Sequence, residues 1–370
     1  MMCTDVLILA GGSGERLWPV SDARKPKQFM ALQDGESFLQ SAVRRAFALG
    51  IEGDICIVTR RDWTGLVLED IRSLAERMHE PSLPGRIIVM SEPCGKNTAP
   101  PIAWTARYLL TQKRSKAVNM LLMASDHIIK PLDSFIADVQ TASWHAERDA
   151  LVSFAIATAY PATGYGYIRT GEAVPCPLPG AGSAFRTESF KEKPDAGTAL
   201  AYLGDGRYFW NSGIYAFRAD FYLSELARHC PGVASAFESI GPDFTIESSG
   251  GIRVMTACGG LEDAYRKSPS ISIDYAISEK CRQSVTVRAS FLWDDVGTWD
   301  SLAKYFEGLP ENACPVQSEN CFVLSDVPVA LCGVNDLVVV IRNGKALIAR
   351  KGETNLVKDA LALMKEKGLE

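Results

Sequence analysis

Short apolar runs alternate with longer segments of helical spacing through the first half of the chain. The runs cover residues 5–10, 54–59, 86–90, 119–124 and 151–155. A continuous apolar run of this length predicts a strand that is buried on both faces of a sheet. Between the runs, residues 38–49, 66–78, 99–110 and 135–148 have helical spacing. The alternation predicts an α/β protein with a doubly wound, mostly parallel sheet, whose ligands bind at the carboxyl ends of the strands.

The pattern changes along the rest of the chain. Residues 156–189 are rich in Pro, Gly and Tyr and predict a loop-and-strand excursion that forms a substrate wall; a second α/β stretch follows to about residue 306. The final segment predicts short strands and a closing amphipathic helix, at residues 321–324, 329–332, 337–342, 345–350 and 354–367. The pair Asn343-Gly344 is typical of a tight hairpin. We therefore predict a Rossmann-like domain over 1–306 and a small β-rich, partly β-helical domain over 307–370.

Composition excludes several classes of function. The chain has 370 residues, of which 47% are hydrophobic and 22% charged, as in ordinary globular proteins. Its net charge of -5 argues against a nucleic-acid partner, which would require a basic face. The N-terminus lacks a signal sequence and no apolar run reaches membrane-spanning length, so we expect a cytoplasmic protein with no membrane partner. Ten scattered cysteines without a C-x-x-C pair predict reduced, mostly buried thiols and no structural zinc site.

The strongest chemical signal follows the first apolar run directly. It is the string AGGSGERLWP over residues 10–19. Three glycines in four positions let backbone N–H groups approach an anion such as a phosphate closely. Arg16 and Lys27 add two cations within the same loop, which can offset the charge of a triphosphate. The loop is neither a Walker A loop nor a G-x-G-x-x-G fingerprint, because the residues that those motifs require are absent.

Two stretches of this loop resemble a known family. GGSGERLWPVS, followed by KPKQF at residues 25–29, resembles the signature of the sugar-1-phosphate nucleotidylyltransferases, specifically of the mannose-1-phosphate guanylyltransferases. The resemblance implies a catalytic domain over 1–306 that transfers GMP from GTP to mannose 1-phosphate, giving GDP-mannose and pyrophosphate by in-line attack on the α-phosphate. It also implies that Arg16 and Lys27 are catalytic and stabilise the leaving pyrophosphate and the reacting phosphate. The triphosphate would be gripped by Ala10, Gly11, Gly12, Ser13 and Gly14.

A second nucleotide-binding segment follows the third apolar run. The string EPCGKNTAP begins at Glu92 and opens a predicted helix, which Asn97 or Thr98 can cap. By resemblance this loop lies against the purine, so we expect Glu92, Asn97 and Thr98 to bind the nucleotide. A capped helix start without a ligand is the alternative. The family usually has Arg and Ala where this chain has Lys96 and Pro101, so the loop expected to contact the base departs from the family's pattern.

Two acidic segments predict a magnesium site. Asp126 follows the fourth apolar run, at the carboxyl end of a predicted strand, and a distant segment reads WDDVGTW over residues 293–299. Mg²⁺ prefers one or two carboxylates together with substrate phosphates. By resemblance, Asp126 and Asp295 ligate Mg²⁺, which is the expected cofactor, and Asp294 is the less favoured candidate. Ser125 is expected on the nucleotide. A simple turn residue is the alternative for Asp126.

Further stretches resemble the sugar side of the same family. FKEKP over residues 190–194 matches the F-x-E-K-P motif, in which Glu192 binds sugar hydroxyls and Lys193 binds the sugar phosphate. A carboxylate accepts hydroxyl hydrogen bonds, while an ammonium brings the anionic nucleophile toward an anionic target. WNSG over 210–213 places Asn211 on the sugar, and Gly166 passes its backbone close to the hexose. For SIDYA over 272–276 we expect a structural role near the site.

Several alternatives remain open at the level of sequence. The same chemistry could use another sugar 1-phosphate, such as a glucose, fucose or heptose phosphate, or another nucleotide, such as dTTP or UTP. A catalytically silent sensor of nucleotide-sugars is the alternative from another class. Some relatives carry a cupin-type isomerase domain, but this sequence has few residues after Phe306 and no histidine after His229, so we expect a single activity. The family also suggests a homodimer that forms through residues 307–370.

Overall fold

The computed structural model describes residues 3–12, 14–22, 24–32, 35–113 and 118–369. Its internal contacts divide the chain into two compact units, each assembled from three segments. The first, here called the sheet unit, comprises Met1–Gly11, Gln40–Ser125 and Ile129–Trp293. The second, here called the tail unit, comprises Gly12–Leu39, Asp126–Ile128 and Asp294–Glu370. The chain thus enters the tail unit inside the glycine-rich loop, again at Asp126 and a third time at Asp294.

Thirteen strands lie in the part of the chain that precedes residue 295, within the described residues. They are β1 Asp5–Ala10, β2 Ile55–Arg60, β3 Ile87–Glu92, β4 Asn119–Ala124, β5 Ile128–Lys130, β6 Leu151–Ala157, β7 Tyr167–Val174, β8 Ala184–Lys191, β9 Tyr208–Arg218, β10 Phe244–Ser249, β11 Ile252–Cys258, β12 Ser284–Arg288 and β13 Leu292–Asp294. Eleven of them form one sheet in the order β10-β11-β3-β2-β1-β4-β9-β6-β12-β8-β7. The five predicted apolar runs are β1, β2, β3, β4 and β6, so the α/β prediction is confirmed.

The sheet has a parallel centre and antiparallel additions. Strand β1 pairs in parallel with β2 and with β4, while β3 pairs in parallel with β2 and β11. The carboxyl ends of these strands therefore lie at one edge of the sheet. Strand β9 runs antiparallel between β4 and β6. The β7–β8 hairpin extends the same sheet, and it is formed largely by the segment that was predicted to be a substrate wall.

Helices cover the sheet, as the helical spacing predicted. They are α1 Phe38–Ala48, α2 Thr64–Met78, α3 Leu83–Arg86, α4 Ala99–Lys113, α5 Leu132–Ala146, α6 Ala196–Asp205, α7 Ala219–His229, α8 Pro231–Glu238 and α9 Leu261–Lys267. In the core of the sheet unit, the rings of Trp104 and Phe237 each meet Tyr265 edge to face, at 6.1 and 5.3 Å between centroids. Burial of these apolar side chains is the main stabilising contribution here.

The tail unit contains the short C-terminal strands and two further helices. These elements are α10 Trp299–Ala303, β14 Ala313–Val316, β15 Phe322–Ser325, β16 Val329–Cys332, β17 Leu337–Arg342, β18 Lys345–Arg350 and α11 Val357–Glu366. Ala313 pairs with Val329 and Phe322 with Val338, so two successive parallel pairings share an offset of 16 residues, as in coils of a β-helix. The predicted hairpin is confirmed, since Asn343 and Gly344 have φ angles of 55° and 70°.

A single hydrophobic cluster joins the segments of the tail unit. It contains Leu17 and Trp18 from the glycine-rich loop segment, Trp299 from α10, Phe322 from β15 and Val357 from α11. The Trp299 indole also donates a hydrogen bond of 2.9 Å to the Trp18 carbonyl. The C-terminal strands and helix therefore share a core with the loop that sequence analysis assigned to phosphate binding.

Two expectations about the chain as a whole have structural outcomes. Among the helices in the described ranges, none combines the length and the apolar character that a bilayer crossing requires. All ten cysteines lie in those ranges and none forms a disulfide. The expectation that most of them are buried is wrong, because only Cys3, Cys56, Cys230 and Cys281 are buried. Several of the others lie on loops or on the short C-terminal strands, which have too little covering structure to enclose a thiol.

Candidate active site

The tail unit contains a cavity of about 470 Å³ with strongly charged walls. This charged cavity is lined by Gly12, Gly14, Glu15, Arg16, Leu17, Lys27, Asp126, His127, Asp295, Gly297 and Lys358. The structure therefore brings the glycine-rich loop, both predicted catalytic cations and both predicted metal ligands to one cavity. These residues come from all three chain segments of the unit. Ser13, which was predicted to bind the nucleotide, lies outside the described residues.

A close backbone approach explains why position 14 is glycine. Gly14 has a φ of 64°, and a Cβ at this position would collide with the side chain of Lys27 and stand 2.9 Å from the Lys27 amide nitrogen. Ser21 donates a hydrogen bond of 2.5 Å to the Gly14 carbonyl. A larger residue at position 14 would therefore push the loop away from Lys27, whereas glycine adopts the left-handed conformation without strain.

Lys27 connects the two acidic segments. Its side chain is only 5% exposed, and its ammonium donates hydrogen bonds to Asp126 Oδ2 and the Asp126 carbonyl, both at 2.9 Å, and to the Asp295 carbonyl at 2.6 Å. An ammonium has three protons, and these three acceptors use all of them. Lys27 therefore fixes the separation of the two aspartate segments and adds one positive charge to the wall of the charged cavity.

The state of Asp126 suits a metal ligand. Burial alone would raise the pKa of this carboxyl, but the charges of Lys27 and His127 hold the pKa below its usual value. The carboxylate therefore stays ionised at neutral pH. Its side chain is still 35% exposed, which leaves carboxylate surface for a ligand beside the contact with Lys27.

Arg16 meets the second acidic segment at Gly297. A Cβ at Gly297 would stand 3.2 Å from Asp295 Oδ2 and 3.3 Å from Arg16 Nη1, so the carboxylate and the guanidinium flank this glycine. The neighbouring Asp294 has a different environment. Its carboxylate accepts hydrogen bonds from Ser301 Oγ at 2.7 Å and from the Tyr305 hydroxyl at 3.1 Å. Through these hydrogen bonds Asp294 holds the loop between β13 and residue 299 in place, whereas Asp295 lines the charged cavity.

The donor set fits a magnesium ion that shares its ligands with a substrate. Within the described ranges, no cluster of three or more His, Cys, Asp or Glu side chains is arranged to hold a metal ion by itself. Asp126 and Asp295 supply two hard oxygen donors to the same charged cavity. Mg²⁺ commonly takes one or two carboxylates and completes its coordination with phosphate oxygens and water. The residues present therefore fit Mg²⁺ delivered with a nucleoside triphosphate.

The other predicted nucleotide residues lie in the sheet unit, where parallel strands end. The carbonyl of Ala10, the last residue of β1, accepts a hydrogen bond of 3.0 Å from Thr59, and the amide of Ser125 donates one of 3.0 Å to Leu9. Gly11 lies beside Glu92 at the end of β3, since a Cβ at Gly11 would stand 3.0 Å from Glu92 Oε1. Burial raises the pKa of the Glu92 carboxyl to about 7.

The loop after β3 is tied to a distant segment. The Thr98 hydroxyl accepts a hydrogen bond of 2.8 Å from the Ile273 amide, and the Ala99 amide donates one of 3.1 Å to the Ile271 carbonyl. Asn97 has a φ of 65° and is exposed, and its side chain accepts from the Thr98 amide at 2.9 Å. The start of α4 is therefore held by residues 271–273, a contact that no local sequence pattern indicates.

The predicted sugar-side residues gather elsewhere in the sheet unit. A Cβ at Gly166 would stand 2.5 Å from Glu192 Oε2 and 3.4 Å from the Asn211 Cβ, so these residues are neighbours. Lys193, the last of the predicted set, pairs with Glu192 Oε1 at 3.1 Å and keeps 58% of its side chain exposed. Burial is the main cause that raises the pKa of the Glu192 carboxyl, and the negative charge of Asp274 raises this pKa further. We call Gly166, Glu192, Asn211 and Asp274 the Glu192 cluster.

Asp274 orients the amide of Asn211. The Asn211 Nδ2 group donates to Asp274 Oδ1 and to the Tyr215 hydroxyl, both at 3.0 Å, and its Oδ1 accepts from the Gly213 amide at 3.2 Å. Because both amide protons are used, the capacity for a further hydrogen bond lies in the second lone pair of the Asn211 carbonyl oxygen. The structural role expected for residues 272–276 thus takes a definite form in Asp274.

Sequence reasoning missed two features of these sites. Lys358 lines the charged cavity although it lies on an amphipathic surface helix, where a lysine carries no distinguishing signal. Near Asn211, the ring of Tyr165 meets Trp210 and Trp293 at 5.3 and 5.4 Å between centroids. Tyr165 precedes Gly166, while Trp210 and Trp293 begin the WNSG and WDDVGTW stretches, so the sequence indicated the region but not the aromatic contact.

Comparison with known proteins gives a consistent result. The family model described as nucleotidyl transferase matches residues 5–312. Mannose-1-phosphate guanylyltransferase of Salmonella montevideo is 35% identical over 371 residues, which cover 98% of this chain and 74% of the relative. The enzyme of the same name from Escherichia coli is 36% identical over 377 residues, covering 98% and 73%. The crystal structure described as mannose-1-phosphate geranyltransferase from Thermus thermophilus matches with a TM-score of 0.77 and 27% identity, covering 99% of this chain and 100% of that chain.

Proposed function

This chain belongs to the nucleotidyl transferase family, among the mannose-1-phosphate guanylyltransferases, and we propose that it transfers GMP from GTP to mannose 1-phosphate and releases pyrophosphate. One observation carries the proposal. Arg16, Lys27, Asp126 and Asp295, from three separate chain segments, line one charged cavity together with the glycine-rich loop. A silent sensor would have no need to gather a metal-binding pair of carboxylates and two cations around a phosphate cavity.

The chemistry requires positioning and charge neutralisation rather than proton transfer. The phosphate oxygen of mannose 1-phosphate is already an anion at neutral pH, so in-line attack on the α-phosphorus of GTP needs no general base. Arg16 and Lys27 would stabilise the charge of the reacting and leaving phosphates, and Lys193 would hold the sugar phosphate. Mg²⁺ held by Asp126 and Asp295 would supply further neutralisation of phosphate charge. No covalent enzyme intermediate is involved.

The nucleotide would be held by backbone groups and strand-end side chains. We assign the triphosphate to the loop residues and the base and ribose to the ends of the parallel strands, with contacts from Ala10, Gly11, Gly12, Ser13, Gly14, Glu92, Asn97, Thr98 and Ser125. The exposed position of Asn97 and the burial of Glu92 beside Gly11 support this division. An ionised Glu92 can accept hydrogen bonds from the donors on the guanine edge.

The sugar would be bound by the Glu192 cluster. Glu192 and the Asn211 carbonyl oxygen present acceptors for sugar hydroxyls. Position 166 is glycine because any Cβ there would collide with Glu192, so the Gly166 backbone lies directly beside these acceptors. Lys193 would bind the phosphate of the sugar, since its side chain remains 58% exposed. The ring of Tyr165 packs against Trp210, the residue before Asn211, so an aromatic pair lies next to this set.

A grid of substrates tests the proposal directly. Purified protein with Mg²⁺ is incubated with GTP, dTTP or UTP against mannose, glucose, fucose and heptose 1-phosphates, and pyrophosphate release is measured. The proposal predicts the highest kcat/KM for GTP with mannose 1-phosphate and loss of turnover when Mg²⁺ is chelated. Preference for another pair would reassign the substrates, whereas nucleotide binding without turnover in every cell of the grid would favour the sensor.

We also propose a homodimer in the cytoplasm, with residues 307–370 as the dimerisation element and residues 1–306 as the catalytic domain. Exposed large hydrophobic side chains are concentrated in the C-terminal segment, at Val316, Val327, Ile348, Leu356, Leu363 and Leu369. Six such side chains within the one segment 307–370 support placing the interface there. The variant Ile348→Glu should lower the mass measured by light scattering toward that of one chain, and an unchanged mass would refute this surface.

A further inference from the structure

Lys358 lies on the second residue of helix α11 and lines the charged cavity. We propose that Lys358 contacts the terminal phosphates of the nucleotide, the part that leaves as pyrophosphate, and thereby makes the C-terminal helix part of the active site. The inference rests on the proposed function and deepens it. The same cavity holds Arg16 and the two candidate metal ligands.

The start of α11 is anchored by a hydrogen-bonded group around Asp300. The Asp300 carboxylate accepts from the Thr354 hydroxyl at 2.5 Å, the Thr354 amide at 3.2 Å and the Gly352 amide at 2.8 Å. The Asp300 amide in turn donates to Thr354 Oγ1 at 3.1 Å. Asp300 follows the Asp295–Gly297 loop by a few residues on α10, and Thr354 is fully buried. The helix that carries Lys358 is therefore fixed to the segment that carries Asp295.

Apolar packing holds the same helix against the glycine-rich loop segment. Val357, next to Lys358, is buried in the cluster that contains Leu17 and Trp18. The helix packs against the short turn Glu15–Leu17, which carries Arg16. Two independent contacts, one polar and one apolar, thus set the position of Lys358 relative to Arg16 and Asp295. A lysine on an unattached surface helix would have neither.

The charge balance of the cavity explains what Lys358 would add. A nucleoside triphosphate brings several negative charges, and the three protons of Lys27 are already donated to Asp126 and Asp295. Glu15 adds a further acidic group to the lining. Lys358 is exposed, so its flexible ammonium can reach a phosphate and return to water when pyrophosphate leaves.

Binding measurements on matched variants test this role. Lys358→Met keeps the length of the side chain and removes its charge, Lys358→Arg keeps the charge, and Lys365→Met removes an exposed charge from the same helix outside the cavity. We expect Lys358→Met to weaken GTP binding and inhibition by inorganic pyrophosphate about ten-fold, which corresponds to 1.4 kcal/mol. Binding of GMP, which lacks the terminal phosphates, should change less than about two-fold in the same variant. Lys358→Arg should restore most of the affinity, and Lys365→Met should resemble the wild type.

The outcomes separate this inference from the proposed function. Equal weakening of GTP and GMP binding by Lys358→Met would show a structural effect of the substitution and overturn the inference, as would unchanged affinity for GTP and pyrophosphate. Both results are compatible with normal GDP-mannose formation by the wild type. Failure of the proposed function appears in the wild type itself, as absence of turnover. Thr354→Val, which removes the bond to Asp300, should weaken GTP binding in the same selective way but to a smaller extent.

Discussion

The charged cavity of the tail unit and the Glu192 cluster of the sheet unit differ in how their polar groups are arranged. In the charged cavity, the exposed Arg16 and Lys358 and the buried Lys27 line an open volume together with three carboxylates. In the Glu192 cluster, the polar groups are largely buried and bonded to one another, as Asn211 is to Asp274 and Tyr215. A phosphate can be recognised by charge at several positions, whereas sugar hydroxyls require acceptors that are fixed in direction.

The comparison also indicates what each site cannot tolerate. The charged cavity depends on the balance of charge, so removal of a cation or an acid should affect turnover strongly. The Glu192 cluster depends on orientation, so its substitutions should affect sugar binding first. Substitutions at Lys27, at the paired aspartates and at Asn211 test this contrast, and a fourth prediction concerns Glu92, which lies outside both sites.

The largest effect is expected at Lys27. Lys27→Met removes the ammonium that joins the Asp126 and Asp295 segments, so it should lower kcat by at least about 100-fold. Pyrophosphate release at saturating substrates measures this loss. The matched control is Lys25→Met, which removes an exposed lysine two residues earlier and should retain near-normal kcat. A Lys27→Met enzyme with wild-type kcat would show that the ammonium has only a structural role.

A smaller effect is expected when the paired acids are changed one at a time. Asp126→Asn and Asp295→Asn should each raise the Mg²⁺ concentration for half-maximal rate by roughly ten-fold or more, because each removes half of the charge offered to the ion. Asp294→Asn should leave this concentration unchanged and lower Tm, since Asp294 bonds Ser301 and Tyr305. If Asp294→Asn alone altered the Mg²⁺ requirement, the assignment of the two neighbouring acids would be reversed.

On the sugar side, Asn211→Ala should change binding rather than chemistry. Loss of one oriented acceptor should raise KM for mannose 1-phosphate about ten-fold, with KM for GTP unchanged. Initial rates with each substrate varied in turn measure both constants. Asp274→Asn should give the same selective rise to a smaller degree, because it reorients Asn211 without removing it. An equal rise in both KM values would contradict a distinct sugar site.

The smallest effect concerns pH and Glu92. Burial raises the pKa of Glu92 from 4.5 to about 7, so the folded state binds this proton more tightly than the unfolded state. The resulting stabilisation is fully present below pH 4.5 and is lost as the pH rises through 7. Glu92→Gln removes this dependence, so the Tm of the wild type minus that of the variant should fall by roughly 2–4 °C between pH 5 and pH 8. A constant difference across that range would contradict the raised pKa.

Local patterns in the sequence predicted most of the fold. The buried strands β1 to β4 and β6 follow from continuous apolar runs, and the hairpin follows from Asn343-Gly344, because both signals depend on neighbouring residues alone. The place of β9 between β4 and β6 did not follow, since it depends on pairings between residues as distant as Asn119 and Arg218. Long-range pairing leaves no periodic signal in one sequence.

The candidate site was predictable to the extent that its motifs are contiguous. The glycine-rich loop, Asp126 and Asp295 were identified, and the structure places them around one cavity. The three hydrogen bonds of Lys27 and the position of Lys358 were not identified, because both depend on segments far apart in the chain. The change of pattern at residue 306 marks where the short strands begin, but it carries no information on which earlier segments share their core.

The central claim is that one charged cavity lets two anionic substrates react, and formation of the product by the wild-type chain tests it most directly. GTP, mannose 1-phosphate and Mg²⁺ are mixed with the purified protein, and GDP-mannose and pyrophosphate are quantified together. The account predicts that the two products appear in equal amounts, at a rate that Lys27→Met reduces by at least about 100-fold. Absence of GDP-mannose from the wild-type reaction, or equal rates for the wild type and Lys27→Met, would contradict it.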